Sequence, residues 1–299
     1  MDEQEWLADR FEEHRGHLRA VAYRMLGSLS EADDAVQDSW LRLSRSGASE
    51  VENLRAWLTT VVARVCLNRL RSRNRRREDL FGVHVPDPVV SSVGELQPEQ
   101  AALLADSVGL ALLIVLDTLA PAERLAFVLH DMFQLPFEEI APVVGRTAAA
   151  ARQLASRARR RIKGAEIPAP DADLERQRQV VDAFLQAARR GNFDALVAVL
   201  DPEVVLRVDP GARHPSQALE IRGAEAIARQ ALQGLSSVIS VAQIRPALVN
   251  GAAGVVVIGA GRPLAVLGFT VTDGKIARID AIADRERVAR IAAAVLAEE

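Results

Sequence analysis

The sequence predicts a multidomain protein in which two all-α domains, the second carrying a helix-turn-helix, precede an α+β domain. Apolar residues recur at helical spacing over residues 5–77 and again over 101–163. Two stretches without any period interrupt the chain, one bearing Pro86, Pro88 and Pro98 and the other Pro168 and Pro170. Beyond residue 200, β-branched runs such as Val204-Val205-Leu206-Arg207-Val208 alternate with turn signals. The expected division is a helical domain over 1–78, a linker over 79–105, a helix-turn-helix domain over 106–164 and an α+β domain over 171–299.

A chain of 299 residues with 49% hydrophobic and 26% charged residues suits two or three compact domains and is too apolar to be disordered. The first residues are acidic where a secretion signal would be basic. The longest uncharged apolar runs, 108–116 and 251–261, fall short of the ~20 residues of a membrane span. Cys66 is the single cysteine, so an intrachain disulfide is excluded and a structural zinc site lacks thiols. A cytoplasmic protein without metal or cofactor is expected.

Net charge is only −3, but its distribution is uneven. Residues 1–52 carry 12 acids against 6 bases, whereas 53–77 carry 8 arginines and no acid. Residues 78–145 then hold 11 acids and one base, Arg124, while 146–163 hold six arginines, Lys163 and no acid. Such alternation concentrates positive potential on two separate surfaces, as expected of a protein that touches DNA at two places.

In the first domain, Gly27 ends one helix, and Ser30 with Asp33 reads as a capping box for the next. Ala32, Ala35, Val36, Ser39, Trp40 and Leu43 form its buried stripe, leaving Asp34, Gln37, Asp38 and Leu41 on the outer face. A leucine rimmed by acids and an amide suits a partner surface. The helix from Asn53 to Leu70 carries an apolar stripe and ends in a basic prong of Arg64, Asn68, Arg69, Arg71, Arg73 and Arg75–Arg77. Guanidinium groups at that density fit phosphate neutralisation. Trp57 falls on the apolar stripe and reads as core, and Cys66 as a small buried hydrophobe. His14 and His17 have no companion ligands and read as surface residues.

The second helical domain contains the parts of a helix-turn-helix. One helix starts at Pro121, a second at Pro136, Gly145 closes the second and Thr147 caps a third. In that third helix Ala151, Leu154, Ala155, Ala158 and Ile162 face inward, while Arg152, Gln153, Ser156, Arg157 and Arg160 face outward. Arg152 and Gln153 have the chemistry for base edges, and Arg146, Arg157 and Arg160 for phosphates. The α+β domain should start with a helix over 174–190, add a second near 224–233 and fold the rest into an antiparallel sheet turned at Asn250-Gly251 and Asp273-Gly274.

These segments together resemble a known family. Ala32-Asp33-Asp34-Ala35-Val36-Gln37-Asp38-Ser39-Trp40-Leu41-Arg42-Leu43 is similar to the core-polymerase-binding helix of extracytoplasmic-function sigma factors. Arg55 to Arg64, followed by Leu70-Arg71-Ser72-Arg73, resembles their minus-ten-reading segment, and Leu119 to Arg124 through Arg157-Ala158-Arg159 their minus-thirty-five-reading domain. The resemblance implies a sigma region two over 1–78, a linker threading toward the polymerase active-site channel, and a sigma region four over 106–164. It implies that Asp34, Gln37, Asp38 and Leu41 meet core RNA polymerase. Asn68, Arg69, Arg71 and Arg73 would serve the minus-ten element, and Arg146, Thr147, Arg152, Gln153, Arg157 and Arg160 the minus-thirty-five promoter DNA.

Residues 171–299 resemble a SnoaL-like, cone-shaped domain, and the layout is similar to the sigma-J type, whose extension modulates activity. That type carries an Asp-Gly-Gly-Gly-basic motif, of which Asp209, Gly211 and Arg213 survive here as a candidate regulatory loop. Its Trp-Leu-Pro-Glu-Pro linker aligns in this reading with Glu166-Ile167-Pro168-Ala169-Pro170. Two other functions are open. A helix-turn-helix repressor gated by a small molecule in the C-terminal domain would bind duplex DNA without polymerase. An enzyme would need Asp209, Arg207, Asp280 or His214 to converge in one cavity, and the sole tyrosine, Tyr23, lies in another domain. The expectation is a sigma factor with no catalytic residues.

Overall fold

The computed structural model describes residues 3–46, 53–77, 83–93, 109–165, 168–211, 213–235 and 242–296. They fall into two compact units, one made from the described residues of 1–79 and 115–166, the other from those of 80–96, 107–114 and 167–299.

The first unit begins with three helices, α1 (Glu3–Leu26), α2 (Leu29–Ser46) and α3 (Leu54–Arg77). The predicted stripe of α2 is buried at Ala32, Ala35, Val36, Ser39 and Leu43, and the half-buried Trp40 ring lies 5.2 Å from that of Phe11. The helix starts earlier than expected: Ser28, not Ser30, sits at the N-cap, and its carbonyl accepts the Ala32 N–H. Ser28 and Glu31 have the capping-box spacing, two residues before the pair Ser30 and Asp33. Helix α3 buries Leu58, Val62, Val65 and Leu70. Cys66 is fully enclosed, and burial pushes its thiol up to about 12, so it packs as an inert hydrophobe.

Helices α4 (Leu110–Asp117), α5 (Pro121–Phe127, continued by a π turn at Val128–Met132), α6 (Phe137–Val144) and α7 (Ala148–Gly164) follow. Gly145 takes the left-handed conformation that ends α6, and the Thr147 hydroxyl accepts the Ala150 N–H at 3.2 Å to start α7. Ala151, Ala155 and Ala158 are fully buried, which lets α7 approach α5 and α6 closely.

A polar contact at Arg124 and a ring contact at His17 join these helices to the first three. Arg124, 1% exposed, donates from Nε and Nη2 to the Arg24 carbonyl at 3.2 and 3.1 Å and from Nη1 to Asp117 at 3.0 Å. That carbonyl lies near the C-terminal end of α1, where the helix dipole favours a cation. His17 is half-buried rather than a surface residue. Its Nε2 lies 3.1 Å from Thr59 Oγ1, its Nδ1 3.1 Å from the Arg55 guanidinium, and its ring meets Phe133 edge-on. An arginine can only donate, so Nδ1 accepts and the ring is neutral.

The second unit is built on a seven-stranded sheet. Its strands are β1 (Val90–Ser91), β2 (Leu200–Asp209), β3 (Leu219–Arg222), β4 (Gln243–Val249), β5 (Ala252–Gly259), β6 (Arg262–Thr272) and β7 (Lys275–Ile282), in the order β1-β4-β5-β6-β7-β2-β3. Asn250-Gly251 and Asp273-Gly274 form the expected two-residue turns, all four residues having positive φ. A third such turn, Ala260-Gly261, lacks the side-chain signal that would have announced it. The sheet is mixed, because β2 and β7 run parallel, with Arg207 opposite Asp280. The antiparallel expectation fails there: three successive hairpins bring β7 back beside β2 in the same direction.

Helices α8 (Leu174–Arg190), α9 (Phe193–Val199) and α10 (Ala224–Gln230, continued by a π turn at Ala231–Leu235) belong to the inner core, where Phe184 and Ile227 meet Val255, Leu267 and Ile279. The opposite face of the sheet has its own core. There Val249, Val256, Val266 and Ile282 are covered by Val85, Val90, Leu110 and Ile114, and by Val288, Ile291 and Val295 of α11 (Arg285–Ile291) and α12 (Ala293–Leu296). A Cβ at Gly268 would sit 3.2 Å from Leu110 Cδ2 and 2.9 Å from Val249 Cγ1, so glycine makes room for that layer. The stretch predicted as a free linker is therefore a strap: its described residues 83–93 lie on this sheet, and β1 pairs with β4 through Val90–Val249 and Ser91–Leu248.

Burial, then the neighbouring Arg55, His14 and Arg24 charges, lower the His17 pKa from the usual 6.5 to about 4. The unfolded chain then binds a proton before the native one does, so stability is intact above pH 6.5 and erodes as pH falls toward 4. Thermal unfolding of wild type and His17→Gln across that range checks this. The wild type should lose more of its Tm on acidification than the variant, and parallel profiles would refute it.

Candidate nucleic-acid interface

Helix α2 presents Asp34, Gln37 and Leu41 outward, Leu41 being 44% exposed, with Asp38 half-buried beside them. Across the groove from α2, the candidate residues of α3 split into two sets. Arg69 donates to Asp38 at 2.8 Å and to the Glu31 carbonyl at 3.2 Å, and lies 3.7 Å from Asp34. Arg73 bonds the Glu31 carboxylate and the Leu26 carbonyl. These two arginines, four residues apart, tie α3 to the first two helices. Asn68 and Arg71 are exposed, and with Arg64 and Arg75 they make an outward stripe at i, i+4, i+7 and i+11. Sequence reasoning grouped the basic prong by density. The helical phase that separates Arg69 and Arg73 from the outward stripe was readable but was not applied.

Helix α7 exposes Arg152, Gln153, Ser156, Arg157 and Arg160, as its phase predicts, and Arg146 and Thr147 lie exposed just before it. Arg152 sits over the Phe137 ring at 5.1 Å and 3.8 Å from Glu138. Arg157 and Arg161 bracket the buried Glu123 at 3.0 and 3.1 Å, so Arg157 fastens α7 to α5 as well as facing outward. The Thr147 hydroxyl oxygen accepts the cap bond, which leaves its O–H able to donate outward.

The candidate regulatory loop binds the strap. Asp209, 3% exposed at the end of β2, accepts the Val85 N–H at 2.8 Å and Arg287 Nη1 at 2.7 Å, and lies 3.2 Å from His84 Nδ1. Its other oxygen accepts the Gly211 N–H at 2.9 Å. Arg287 also donates from Nε to Asp87 at 2.7 Å and from Nη2 to the Val85 carbonyl. Burial alone would raise the Asp209 carboxyl, but the His84 bond, the Arg287 charge and the Val85 N–H hold it well below the usual range. For Arg287 the charges of Asp87 and Asp209 overcome burial and raise its pKa. Gly211 has φ +82, and a Cβ there would lie 2.0 Å from the Asp284 carboxylate. Arg213 makes an exposed pair with Glu286 at 2.9 Å. A further clasp pairs Val89 and Asn250: the Val89 N–H donates to the side-chain oxygen at 2.7 Å, and the Asn250 N–H to the Val89 carbonyl at 2.8 Å.

The strap carries a proline-rich segment of its own. The segment that meets Asp209 is His84-Val85-Pro86-Asp87-Pro88, which has the proline-acid-proline pattern, rather than the stretch before the extension. Ala169 of that stretch and Asp171 just after it instead brace the β6–β7 turn, the Asp171 carboxylate accepting the Asp273 and Gly274 N–H groups at 2.9 and 3.0 Å.

The inner face of the sheet encloses an apolar cavity of about 210 Å³, lined by Leu206, Val208, Ile279 and Ala281 among others. Strand alternation puts Arg207, Asp209 and Asp280 on the opposite face. There Asp280 pairs with Arg278 at 3.0 Å, its pKa raised by burial despite that partner, and Arg207 pairs with Glu220 at 2.8 Å. The set weighed for acid–base chemistry thus does not face the cavity. Among the described residues no cluster of histidine, cysteine or carboxylate side chains could hold a metal ion, and no helix is long and apolar enough to cross a membrane.

Comparison with known proteins decides the family. The family models described as Sigma-70 region 2 and Sigma-70, region 4 match residues 10–76 and 110–162. The ECF RNA polymerase sigma factor SigJ of Mycobacterium tuberculosis is 36% identical over 286 residues, which is 93% of this chain and 91% of that protein. This chain belongs to the ECF RNA polymerase sigma factors. The probable ECF sigma factor SigI of the same species is 38% identical over 89% of each chain. A crystal structure of M. tuberculosis SigJ superposes with a TM-score of 0.73 at 34% identity, covering 94% of this chain and 97% of that one. The fold class read from the sequence therefore stands in outline: two helical sigma domains, then an α+β domain. As an ECF sigma factor the chain binds core RNA polymerase and promoter DNA to direct transcription initiation, and it is not an enzyme. Nothing in the comparisons favours the repressor alternative.

Asp209→Asn should leave Arg287 one formal charge short of its partners and cost about 2–3 kcal/mol in strap closure. Gly211→Ala should do the same through its clash. Hydrogen exchange of the Val85 and Val89 amides in the full chain reads this directly. Both should exchange at least tenfold faster in each variant, and unchanged protection would show that the ion cluster does not hold the strap.

Proposed function

We propose that this ECF sigma factor is controlled by its own C-terminal extension, which regulates initiation by holding the tether between the two sigma domains. The observation that carries the reading is the Asp209–Arg287–Asp87 cluster, which clasps residues 84–89, part of the segment expected to thread into polymerase. A strap whose backbone is paired with β4 and Asn250 must be released before it can adopt another path. In this reading the domains run over 1–78 for region two, 79–105 for the tether, 106–164 for region four and 171–299 for the extension. A small molecule bound by the extension would supply the signal, and the protein would work in the cytoplasm.

The residue roles follow from exposure and chemistry. Gln37 and Leu41, rimmed by Asp34 and Asp38, offer polymerase an apolar contact with an acidic border. Asn68 and Arg71 serve the minus-ten element, with Arg69 and Arg73 positioning α3 beneath them. On α7, Arg152 and Gln153 reach base edges while Arg146, Thr147, Arg157 and Arg160 hold phosphates.

Three measurements test this. Leu41→Glu should abolish capture of core polymerase while leaving the fold intact by circular dichroism. Arg152→Ala should cost about 1–3 kcal/mol on the cognate promoter and relax its sequence preference, whereas Arg160→Ala should weaken all sequences alike and lower the salt slope. Truncation after Gly164 should change promoter output from reconstituted polymerase, and Asp209→Asn should shift it in the same direction. An output indifferent to both would end the regulatory reading.

A further inference from the structure

The cavity inside the extension is large for a protein interior. Packed cores leave few voids bigger than a water molecule, and unfilled ones destabilise the fold that contains them. An engineered cavity of ~150 Å³ takes up benzene, and this one measures about 210 Å³. Phe184, Leu206, Val255, Leu267 and Ile279 contribute to its wall, and among the described residues Gln230, half-buried, is the one lining side chain that carries a polar group. Among the described residues a carboxylate or an amine brought inside would find no counter-charge, because Arg207, Arg278 and Asp280 lie on the outer face of the same strands and are already paired there.

We infer that the extension binds an uncharged, largely hydrocarbon molecule of about ten to fifteen non-hydrogen atoms, with at most one hydroxyl or carbonyl group directed at Gln230. The inference rests on the reading of the extension as a sensing module and names the class of molecule it senses. Binding is non-covalent, and no group in the wall is placed to change the ligand chemically. The wall selects by shape and by exclusion of charge: it accepts apolar surface and rejects ions that would be buried without partners.

The test uses the full-length chain and two probes of one shape, 1-naphthol and 1-naphthoate, followed by isothermal titration calorimetry. The expected result is one equivalent of 1-naphthol per chain, with 1-naphthoate at least tenfold weaker. Ala281→Phe, deep in the cavity, and Ala265→Leu, in a half-buried part of the wall, should each weaken 1-naphthol at least tenfold while circular dichroism and capture of core polymerase stay as in wild type. Should Ala281→Phe fail to fold, Ala265→Leu alone decides. Equal affinity for the carboxylate, 1-naphthol binding that survives a folded filling variant, or no binding by folded wild type would each overturn the inference. Promoter output measured with and without 1-naphthol separates the two readings: binding that leaves output unchanged keeps the site and removes the sensing role.

Discussion

The structure of the extension turns on one guanidinium. Arg287 reaches Asp209 at the end of β2, Asp87 in the strap and the Val85 carbonyl, and so joins three segments that lie far apart in sequence. A buried cation of this kind costs a large desolvation free energy unless every donor is matched, and here two carboxylates and a carbonyl match it. The cluster is worth less as stability than as specificity. Hydrophobic side chains could seal the same surface, but they would not demand that His84-Val85-Pro86-Asp87-Pro88 lie in one register. The apolar layer around it, Val85, Val90, Leu110 and Ile114 on the outer sheet face, is fixed further by the Val89–Asn250 clasp and the β1–β4 pairing.

The same logic of matched charge governs the basic helices. Of the arginines on α3, Arg69 and Arg73 are consumed by α2 carboxylates and by α1 and α2 carbonyls, and on α7 Arg157 and Arg161 are shared with Glu123. Part of each basic block therefore fixes the pose of its helix, while Arg64, Arg71 and Arg75 on α3 and Arg146, Arg152 and Arg160 at α7 are exposed. Acids of the neighbouring blocks supply the partners, Glu31, Asp34 and Asp38 for the α3 pair and Glu123 for the α7 pair, so positive surface persists in a chain of net charge −3.

Much of this was legible in the sequence, for reasons that differ by element. The α2 stripe, the alanine face of α7 and the turns at Asn250-Gly251 and Asp273-Gly274 follow from local periods and local backbone preferences. What escaped was non-local. No period in residues 83–93 announces a strap, since two residues of strand and a run of prolines acquire meaning only when β4 and Arg287 are beside them. His17 read as surface because its burial comes from Thr59 and Phe133, neither of which lies near it in sequence. The parallel pairing of β2 with β7 likewise depends on how many hairpins intervene, which local patterns do not encode. The capping box and the split of α3 were within reach, as each needed only the helical phase to be carried one step further.

Cavity and strap lie on two faces of one strand. Along β2, Leu206 and Val208 line the cavity while Arg207 and Asp209 point the other way, and along β7 Ile279 and Ala281 alternate with Asp280 and Ile282 in the same manner. A molecule in the cavity can bias the strap only by as much as it binds differently when the strap is closed and when it is released, and the strap must then bias the ligand by the same factor. Val208 lines the cavity and is one peptide from the carboxylate that holds Val85 and Arg287. A displacement of β2 that lengthened those 2.7–2.8 Å bonds would leave Arg287 buried with an incomplete set of acceptors, an unfavourable state relieved by opening the strap. In the proposed regulation the charged face would convert a small change in apolar packing into a choice between two discrete arrangements, closed with Arg287 bonded to Asp87, Asp209 and the Val85 carbonyl or open to water.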